Sequence, residues 1–142
     1  MALTFRTHAR ESAGVVILDM NGLKLINDRL GHKAGDAALI EAAARIAQIA
    51  RQSDTVARLG GDEFGIVLPE VRDPDDAETV SRRIMDRLAL PFEYAGQAIN
   101  LSASIGFAIF PFDAEDPDSL IERADQAMYA AKNQLKRPPR QP

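Results

Sequence analysis

The distribution of apolar residues along the chain predicts alternating short strands and helices. Residues 14–18 form an apolar, mostly β-branched run that ends at Asp19, which is the pattern of a buried central strand. Another central strand is expected at residues 102–110, where small and apolar residues alternate. Further strands are predicted at residues 55–59, 64–68, 92–94 and 98–101. Pro69 is expected to end the strand at residues 64–68.

Helical spacing of apolar residues predicts four helices, at residues 23–30, 36–51, 75–89 and 116–135. Asp36 is expected to cap the N-terminus of the long second helix. The apolar face of that helix is predicted to comprise Leu39, Ile40, Ala43, Ile46, Ala47 and Ala50. The element order βααββαβββα predicts an α+β fold, in which helices flank a mainly antiparallel sheet.

Composition limits what kind of protein this is. The chain has 142 residues, of which 46% are hydrophobic, so a single domain over residues 1–142 is expected. Pro138 and Pro139 predict a disordered tail at residues 138–142. The absence of cysteine and of a long apolar run favours a cytoplasmic protein without a membrane segment. A net charge of −4 argues against general nucleic-acid binding.

The most informative stretch of the sequence is the run from Arg58 to Phe64, which places two glycines directly before two acids. Gly60 and Gly61 between two predicted strands indicate a tight hairpin that exposes Asp62 and Glu63 at its tip. Such a tip suits a site where the backbone approaches a phosphate and carboxylates bind a divalent cation. An ordinary solvated turn is the alternative interpretation.

Asp19 is expected to join these acids, because its strand would lie beside the hairpin. Three convergent carboxylates repel one another unless a cation lies between them. Hard oxygen ligands of this kind suit Mg²⁺, which also takes phosphate oxygens. Alternatively, Asp19 caps a turn with Asn21 and Gly22.

Two further pairs of residues match parts of a guanine nucleotide. Asn27 and Asp36 supply an amide and a carboxylate that complement the Watson–Crick edge of guanine, although Asp36 could serve only as a helix cap. Lys132 and Lys136 are four residues apart on one helix, so both could contact a polyphosphate; a solvated helix face is the alternative.

Together these motifs closely resemble the GGDEF family, the diguanylate cyclase domain. The runs 19–28, 31–36, 60–64 and 124–132 look like its four ordered motifs. The resemblance implies a palm-like fold and the conversion of two GTP into cyclic di-GMP and two pyrophosphate across a transient homodimer. An upstream sensory or dimerising domain, absent from this chain, is a further expectation.

The resemblance also implies roles for individual residues. Asp19, the Met20 carbonyl and Asp62 would bind Mg²⁺, with Mn²⁺ as an alternative, and Glu63 would add a ligand or help to deprotonate the 3′-hydroxyl. GTP would be bound by Gly60, Gly61, Asn27, Asp36, Lys132 and Lys136. The pattern Arg51-x-x-Asp54 resembles the family's inhibitory product site, with Arg82 or Arg83 as a third contact.

The chain also departs from the family pattern. Asn21, Leu23 and Leu135 replace a usual Asp, Phe and Gly, and only thirteen residues precede the first strand, where the family usually has a helix and turn. A non-catalytic module that binds GTP or cyclic di-GMP therefore remains an alternative. A class III nucleotidyl cyclase acting within one GTP is another, although the predicted guanine pair and inhibitory site would then lack a joint purpose.

Overall fold

A computed structural model describes residues 12–136. The elements are β1 (Ser12–Met20), α1 (Leu23–Leu30), α2 (His32–Ile49), β2 (Thr55–Arg58), β3 (Glu63–Val71), α3 (Pro74–Leu88), β4 (Phe92–Tyr94), β5 (Gln97–Ile99), β6 (Ala103–Phe110) and α4 (Pro117–Lys136). The predicted element order and the α+β class are confirmed. The predicted tail at residues 138–142 lies outside the described residues.

The main sheet has four antiparallel strands in the order β2-β3-β1-β6. β1 pairs with a neighbour on each side, as its continuous apolar run predicts. The prediction that residues 102–110 form a central strand is wrong, because among the described strands β6 lies at the edge of the sheet. Its apolar character arises from the helices that pack beside it. β4 and β5 form a separate two-stranded hairpin.

Side chains of β1 alternate between two apolar clusters. Val16, Leu18 and Met20 belong to the larger cluster, which includes residues of α2 and α3. Val15 and Ile17 belong to the smaller cluster, which includes Leu120, Ala124 and Met128 of α4. By this alternation Asp19 falls on the side of the sheet that faces α4.

α4 packs unusually close to β6 because β6 has a glycine at the contact. A Cβ on Gly106 would overlap main-chain atoms of Ala124 and Met128. Gly106 pairs with Ile17 in the sheet, so the contact lies over the middle of β1. This close approach brings the C-terminal half of α4 to the end of β1.

α2 begins at His32, four residues before the predicted start, and is preceded by Gly31 with a φ of 93°. Asp36 therefore lies inside the helix and is not its N-cap. The predicted apolar face is also partly wrong, since Ile40 is 71% exposed and Ala47 is exposed. The buried face combines four small residues, Ala34, Gly35, Ala38 and Ala42, with three larger ones, Arg45, Ile46 and Ile49.

Arg45 links α2 to the end of α3 through a buried guanidinium. Its Nη1 donates to the carbonyl oxygens of Arg87, Leu88 and Leu90 at 2.8–3.1 Å, and Nη2 donates to that of Pro91 at 3.0 Å. The carbonyls at a helix C-terminus have no partners within the helix and carry partial negative charge. Arg45 therefore provides hydrogen-bond donors for the free carbonyls at the end of α3, and these bonds offset the cost of burying its charge.

β3 continues past Pro69 to Val71, so the predicted end of this strand is wrong. β2 pairs with β3 only as far as Val67, and the pairing with β1 shifts register between Ser12 and Gly14. A proline that cannot donate a hydrogen bond is tolerated at such an irregularity.

Within residues 12–136, no helix has the length and apolar character needed to span a bilayer.

Substituting Gly106→Ala should destabilise the domain by about 3 kcal/mol or more, since the added methyl group would meet the α4 backbone rather than a movable side chain. Chemical denaturation followed by circular dichroism measures this loss. Gly61→Ala serves as the control, because a Cβ there meets nothing within 4 Å. Equal stability of the two variants would contradict the packing argument.

Candidate functional site

Asp19 and Glu63 lie directly opposite each other on β1 and β3. Directly paired residues in an antiparallel sheet have neighbouring side chains on the same face, so two like charges are held close together. Asp19 is buried and Glu63 is half-buried. The sheet register therefore produces the predicted convergence of these two acids.

Asp62 reaches the same place through the loop between β2 and β3. Its carbonyl oxygen accepts a 2.8 Å hydrogen bond from the Met20 backbone N–H, which joins the loop to the end of β1. Arg58 donates to the carbonyls of Gly60 and Gly61 at 3.1 and 2.6 Å. Arg58 is a site residue that sequence patterns do not predict, although its position immediately before the two glycines is a usable signal.

Lys132 of α4 provides a positive charge at this group of acids. Its Nζ donates a 2.5 Å hydrogen bond to Oδ2 of Asp19. From its helical spacing Lys132 is expected to contact phosphate, whereas in the structure it forms an ion pair with Asp19. No sequence pattern signals it, since the two residues are 113 positions apart.

Burial and the neighbouring charges shift the pKa values of these side chains. Burial raises the pKa of Asp62, and repulsion from Asp19 adds to the rise. Burial also raises the pKa of Glu63, with further contributions from Asp125, Asp19 and Asp62. The hydrogen bond to Asp19 raises the pKa of Lys132, which keeps its ammonium charged.

These residues offer chemically suitable ligands for a divalent cation. Carboxylate oxygens are the hard ligands that Mg²⁺ and Mn²⁺ prefer. Oδ1 of Asp19 is buried and has no hydrogen-bond partner, so one acceptor is available for a cation. Between residues 12 and 136, however, no three acidic or histidine side chains are grouped in a metal-binding arrangement. The assignment of metal ligands stays a prediction.

A cavity of about 370 Å³ adjoins these acids where β1 leads into α1. Asp62 and Lys132 line it, together with Met20 and the first residues of α1. Lys24, for which the sequence predicts no role, also lines this cavity. Lys136 is the last residue of α4, and its side chain lies outside the described part of the structure.

The predicted guanine pair lies on two adjacent helices. Oδ1 of Asn27 occupies the space that a Cβ on Gly35 would fill, so α1 packs tightly against the residue that precedes Asp36. This oxygen is buried without a hydrogen-bond partner. Asp36 is exposed and lines a cavity of about 330 Å³ with Arg58 and Phe64, whereas Asn27 is not among its lining residues.

Arg51 and Asp54 form a compact turn between α2 and β2. Oδ2 of Asp54 accepts from the Arg51 backbone N–H at 2.8 Å and lies 3.4 Å from Nε of Arg51. Nη2 of Arg51 donates to the carbonyl of Glu70 at 2.8 Å. Oδ1 of Asp54 is buried without a hydrogen-bond partner, while half of the Arg51 side chain is exposed.

Arg82 lies apart from this turn. It projects from α3, pairs with Glu78 at 3.2 Å and lines a groove with residues of β6 and α4. Neither Arg51 nor Asp54 lines that groove. A contribution of Arg82 to the inhibitory site therefore stays a prediction.

The antiparallel sheet with its flanking helices makes this an α+β domain. The acids Asp19 and Glu63 at the ends of β1 and β3, with Lys132 nearby, make the site compatible with a cation and a phosphate. The family model described as "Diguanylate cyclase, GGDEF domain" matches residues 2–138. The chain therefore belongs to the GGDEF family, as its motifs predict. Proteins of this family generally use a divalent metal ion.

Several relatives from Pseudomonas aeruginosa are similar to this chain. Diguanylate cyclase TpbB is 40% identical over 136 residues, which is 95% of this chain and 31% of TpbB. The bifunctional diguanylate cyclase/cyclic di-GMP phosphodiesterase MucR is 44% identical over 120 residues, which is 84% of this chain and 17% of MucR. This chain thus spans less than a third of the length of either relative.

The crystal structure of the GGDEF domain of TpbB has the same fold. Its TM-score against this chain is 0.85 at 42% identity, with 89% of this chain and 79% of that chain covered. The palm-like fold that the motifs imply is therefore confirmed.

Removing one negative charge from the acids should stabilise the metal-free domain. The pKa of Asp62 is raised in the folded state, so the folded domain is less stable when Asp62 is ionised than when it is protonated. The free energy of unfolding therefore falls as the pH rises through the raised pKa. Asp62→Asn should therefore raise the unfolding temperature at neutral pH in EDTA, and this gain should shrink near about pH 4. Differential scanning calorimetry measures both effects.

The matched control is Glu93→Gln, which removes an exposed acid on β4. It should leave the unfolding temperature nearly unchanged. A lower unfolding temperature for Asp62→Asn at neutral pH would refute the proposed repulsion.

Proposed function

We propose that this chain is a Mg²⁺-dependent diguanylate cyclase domain, which condenses two GTP into cyclic di-GMP and two pyrophosphate across a homodimer. The observation that carries this proposal is that Asp19, Asp62 and Glu63 lie close enough to repel one another, with Lys132 paired to Asp19. Such a set of charges suits the binding of a nucleoside triphosphate and a divalent cation, and is poorly explained by a purely structural role.

Each residue then has a defined task. Asp19, Asp62 and the Met20 carbonyl would hold Mg²⁺, or Mn²⁺ in its place, with Glu63 as a further ligand. When bound, the metal ion supplies positive charge at the reacting phosphate oxygens. Alternatively, Glu63 would help to deprotonate the 3′-hydroxyl; burial raises the pKa of its carboxylate, which strengthens its affinity for a proton. Lys132 would bind the phosphates, as would Lys136.

Guanine recognition would come from Asn27 and Asp36. The Asp36 carboxylate would accept from N1–H and the 2-amino group, while the Asn27 amide would donate to O6. Adenine lacks this pattern and would leave the Asp36 carboxylate facing another acceptor, so ATP should be excluded. Gly60 and Gly61 would let the backbone approach the nucleotide, with Arg58 holding the loop.

The reaction requires two copies of the domain. The 3′-hydroxyl of each GTP attacks the α-phosphate of the other, forming two phosphodiester bonds and releasing two pyrophosphates, while the hydroxyl protons are transferred to bases in the site. The protein's main contributions are to align the two nucleotides and to stabilise the developing charge. A dimerising segment elsewhere in a longer protein would raise the rate by effective concentration.

To test the activity, the purified chain is incubated with GTP and Mg²⁺ at high protein concentration, and the nucleotides are separated by chromatography. Cyclic di-GMP is expected from the unmutated chain and not from Asp62→Ala. Turnover per mole of protein should rise with protein concentration, since the active species is a dimer. Equal product formation by Asp62→Ala would refute the site assignment.

Product inhibition is proposed at Arg51 and Asp54, because Arg51 is half exposed and Asp54 has a buried oxygen without a partner. Sub-millimolar cyclic di-GMP should inhibit the unmutated chain, and Arg51→Ala should remove the inhibition. Arg51→Lys should restore only part of it, since lysine cannot form the paired hydrogen bonds of a guanidinium. Initial rates at increasing product concentrations measure this.

Arg123→Ala, which removes an exposed arginine from α4, is the matched control and should remain inhibited. Unchanged inhibition in Arg51→Ala would place the product site elsewhere.

A non-catalytic nucleotide-binding module is the second candidate function. One observation favours it: no three acids within residues 12–136 are grouped in a metal-binding arrangement. If GTP or cyclic di-GMP binds tightly in calorimetry but no product forms, this second function replaces the first.

A further inference from the structure

Lys132 already forms an ion pair with Asp19, whose carboxylate the proposed metal site needs. Its Nζ lies 2.5 Å from Oδ2 of Asp19, and the two side chains are 28% and 11% exposed. The other oxygen of Asp19, Oδ1, is buried without a hydrogen-bond partner. The Asp19 carboxylate is therefore a binding partner both for the Lys132 ammonium and for a metal ion that enters the site.

An ammonium and a divalent cation compete at such a carboxylate. A metal ion at Asp19 must either displace Nζ from Oδ2 or bind at Oδ1 beside another positive charge. Both routes cost free energy, because the ion pair is partly buried and the like charges are close.

A triphosphate can remove this competition. Lys132 lines the cavity beside Asp62, where a phosphate would offer it a different anionic partner. Once Lys132 contacts phosphate, both oxygens of Asp19 are released for the metal ion. Lysine suits this exchange, because its ammonium sits on a long, flexible side chain.

We propose that Lys132 makes the binding of the metal ion and the triphosphate interdependent. It neutralises Asp19 until a phosphate draws it away, so the site binds a metal–nucleotide complex in preference to the free metal ion. The inference rests on the proposed function for the location of the metal and phosphate sites. The coupling is reciprocal: Asp19 equally restrains Lys132 from binding a nucleotide that arrives without metal.

The first test measures binding of Mn²⁺ alone, with no nucleotide, by electron paramagnetic resonance of the free ion. Lys132→Met should bind Mn²⁺ about tenfold more tightly than the unmutated chain, which is within the usual range for linked sites. Lys24→Met is the matched control, since Lys24 lines the same cavity but forms no ion pair with residues 12–136. The control should change Mn²⁺ affinity by about twofold or less.

The second test measures the reciprocal effect, using GTP in EDTA and isothermal titration calorimetry. Asp19→Asn frees Lys132 and should bind metal-free GTP several-fold more tightly than the unmutated chain. Asp62→Asn removes a neighbouring charge that forms no ion pair with Lys132, so it reports the general electrostatic effect and should tighten binding less. This arm does not depend on whether Lys132→Met folds.

Equal tightening in Lys132→Met and Lys24→Met, or in Asp19→Asn and Asp62→Asn, would overturn the proposal, as would no tightening in either test. Both titrations are made without turnover. If the two expected shifts occur but no cyclic di-GMP forms, the proposed activity fails and the interdependence stands. If product forms without the shifts, the interdependence fails alone.

Discussion

The mutual repulsion of Asp19, Asp62 and Glu63 is the constraint to which the rest of the site is adapted. The antiparallel register places Asp19 and Glu63 opposite each other, and the loop after β2 adds Asp62. Burial raises the pKa of Asp62 and of Glu63, and the repulsion from neighbouring acids adds to the rise. A domain selected only for stability would not place three acids here. In this structure Lys132 supplies the balancing charge.

That balance depends on packing remote from the charges. Gly106 allows α4 to contact β6 at main-chain distance, and this approach brings Lys132 to the end of β1. Arg45 works in a similar way on the opposite side of the domain, where it fixes the end of α3 against α2. The position of Lys132 thus depends on a glycine in the scaffold that is remote from the acids.

Local patterns in the sequence predicted the element order, the hairpin with its two acids and the α+β class, because each depends on a few adjacent residues. The edge position of β6 and the true buried face of α2 were not predictable in this way. Alanines line that face, and a periodicity analysis weights Ile40 more heavily than Ala38 although only Ala38 is buried. The Lys132–Asp19 ion pair depends on tertiary packing, which local spacing does not encode.

Buried acceptors without partners connect the sequence predictions to the structure. Within the described residues, three buried side-chain oxygens lack a hydrogen-bond partner: Oδ1 of Asp19, Asn27 and Asp54. Such atoms are uncommon in folded proteins, because leaving a buried acceptor unsatisfied costs about 1–3 kcal/mol. Each of the three belongs to a different site that the sequence predicted: the metal site, the guanine pair and the inhibitory turn. For Asp19 and Asp54 the unpaired atom is a carboxylate oxygen, the type of acceptor that the predicted ligand roles require, whereas the predicted contact of Asn27 with guanine O6 uses the amide N–H group rather than the unpaired Oδ1.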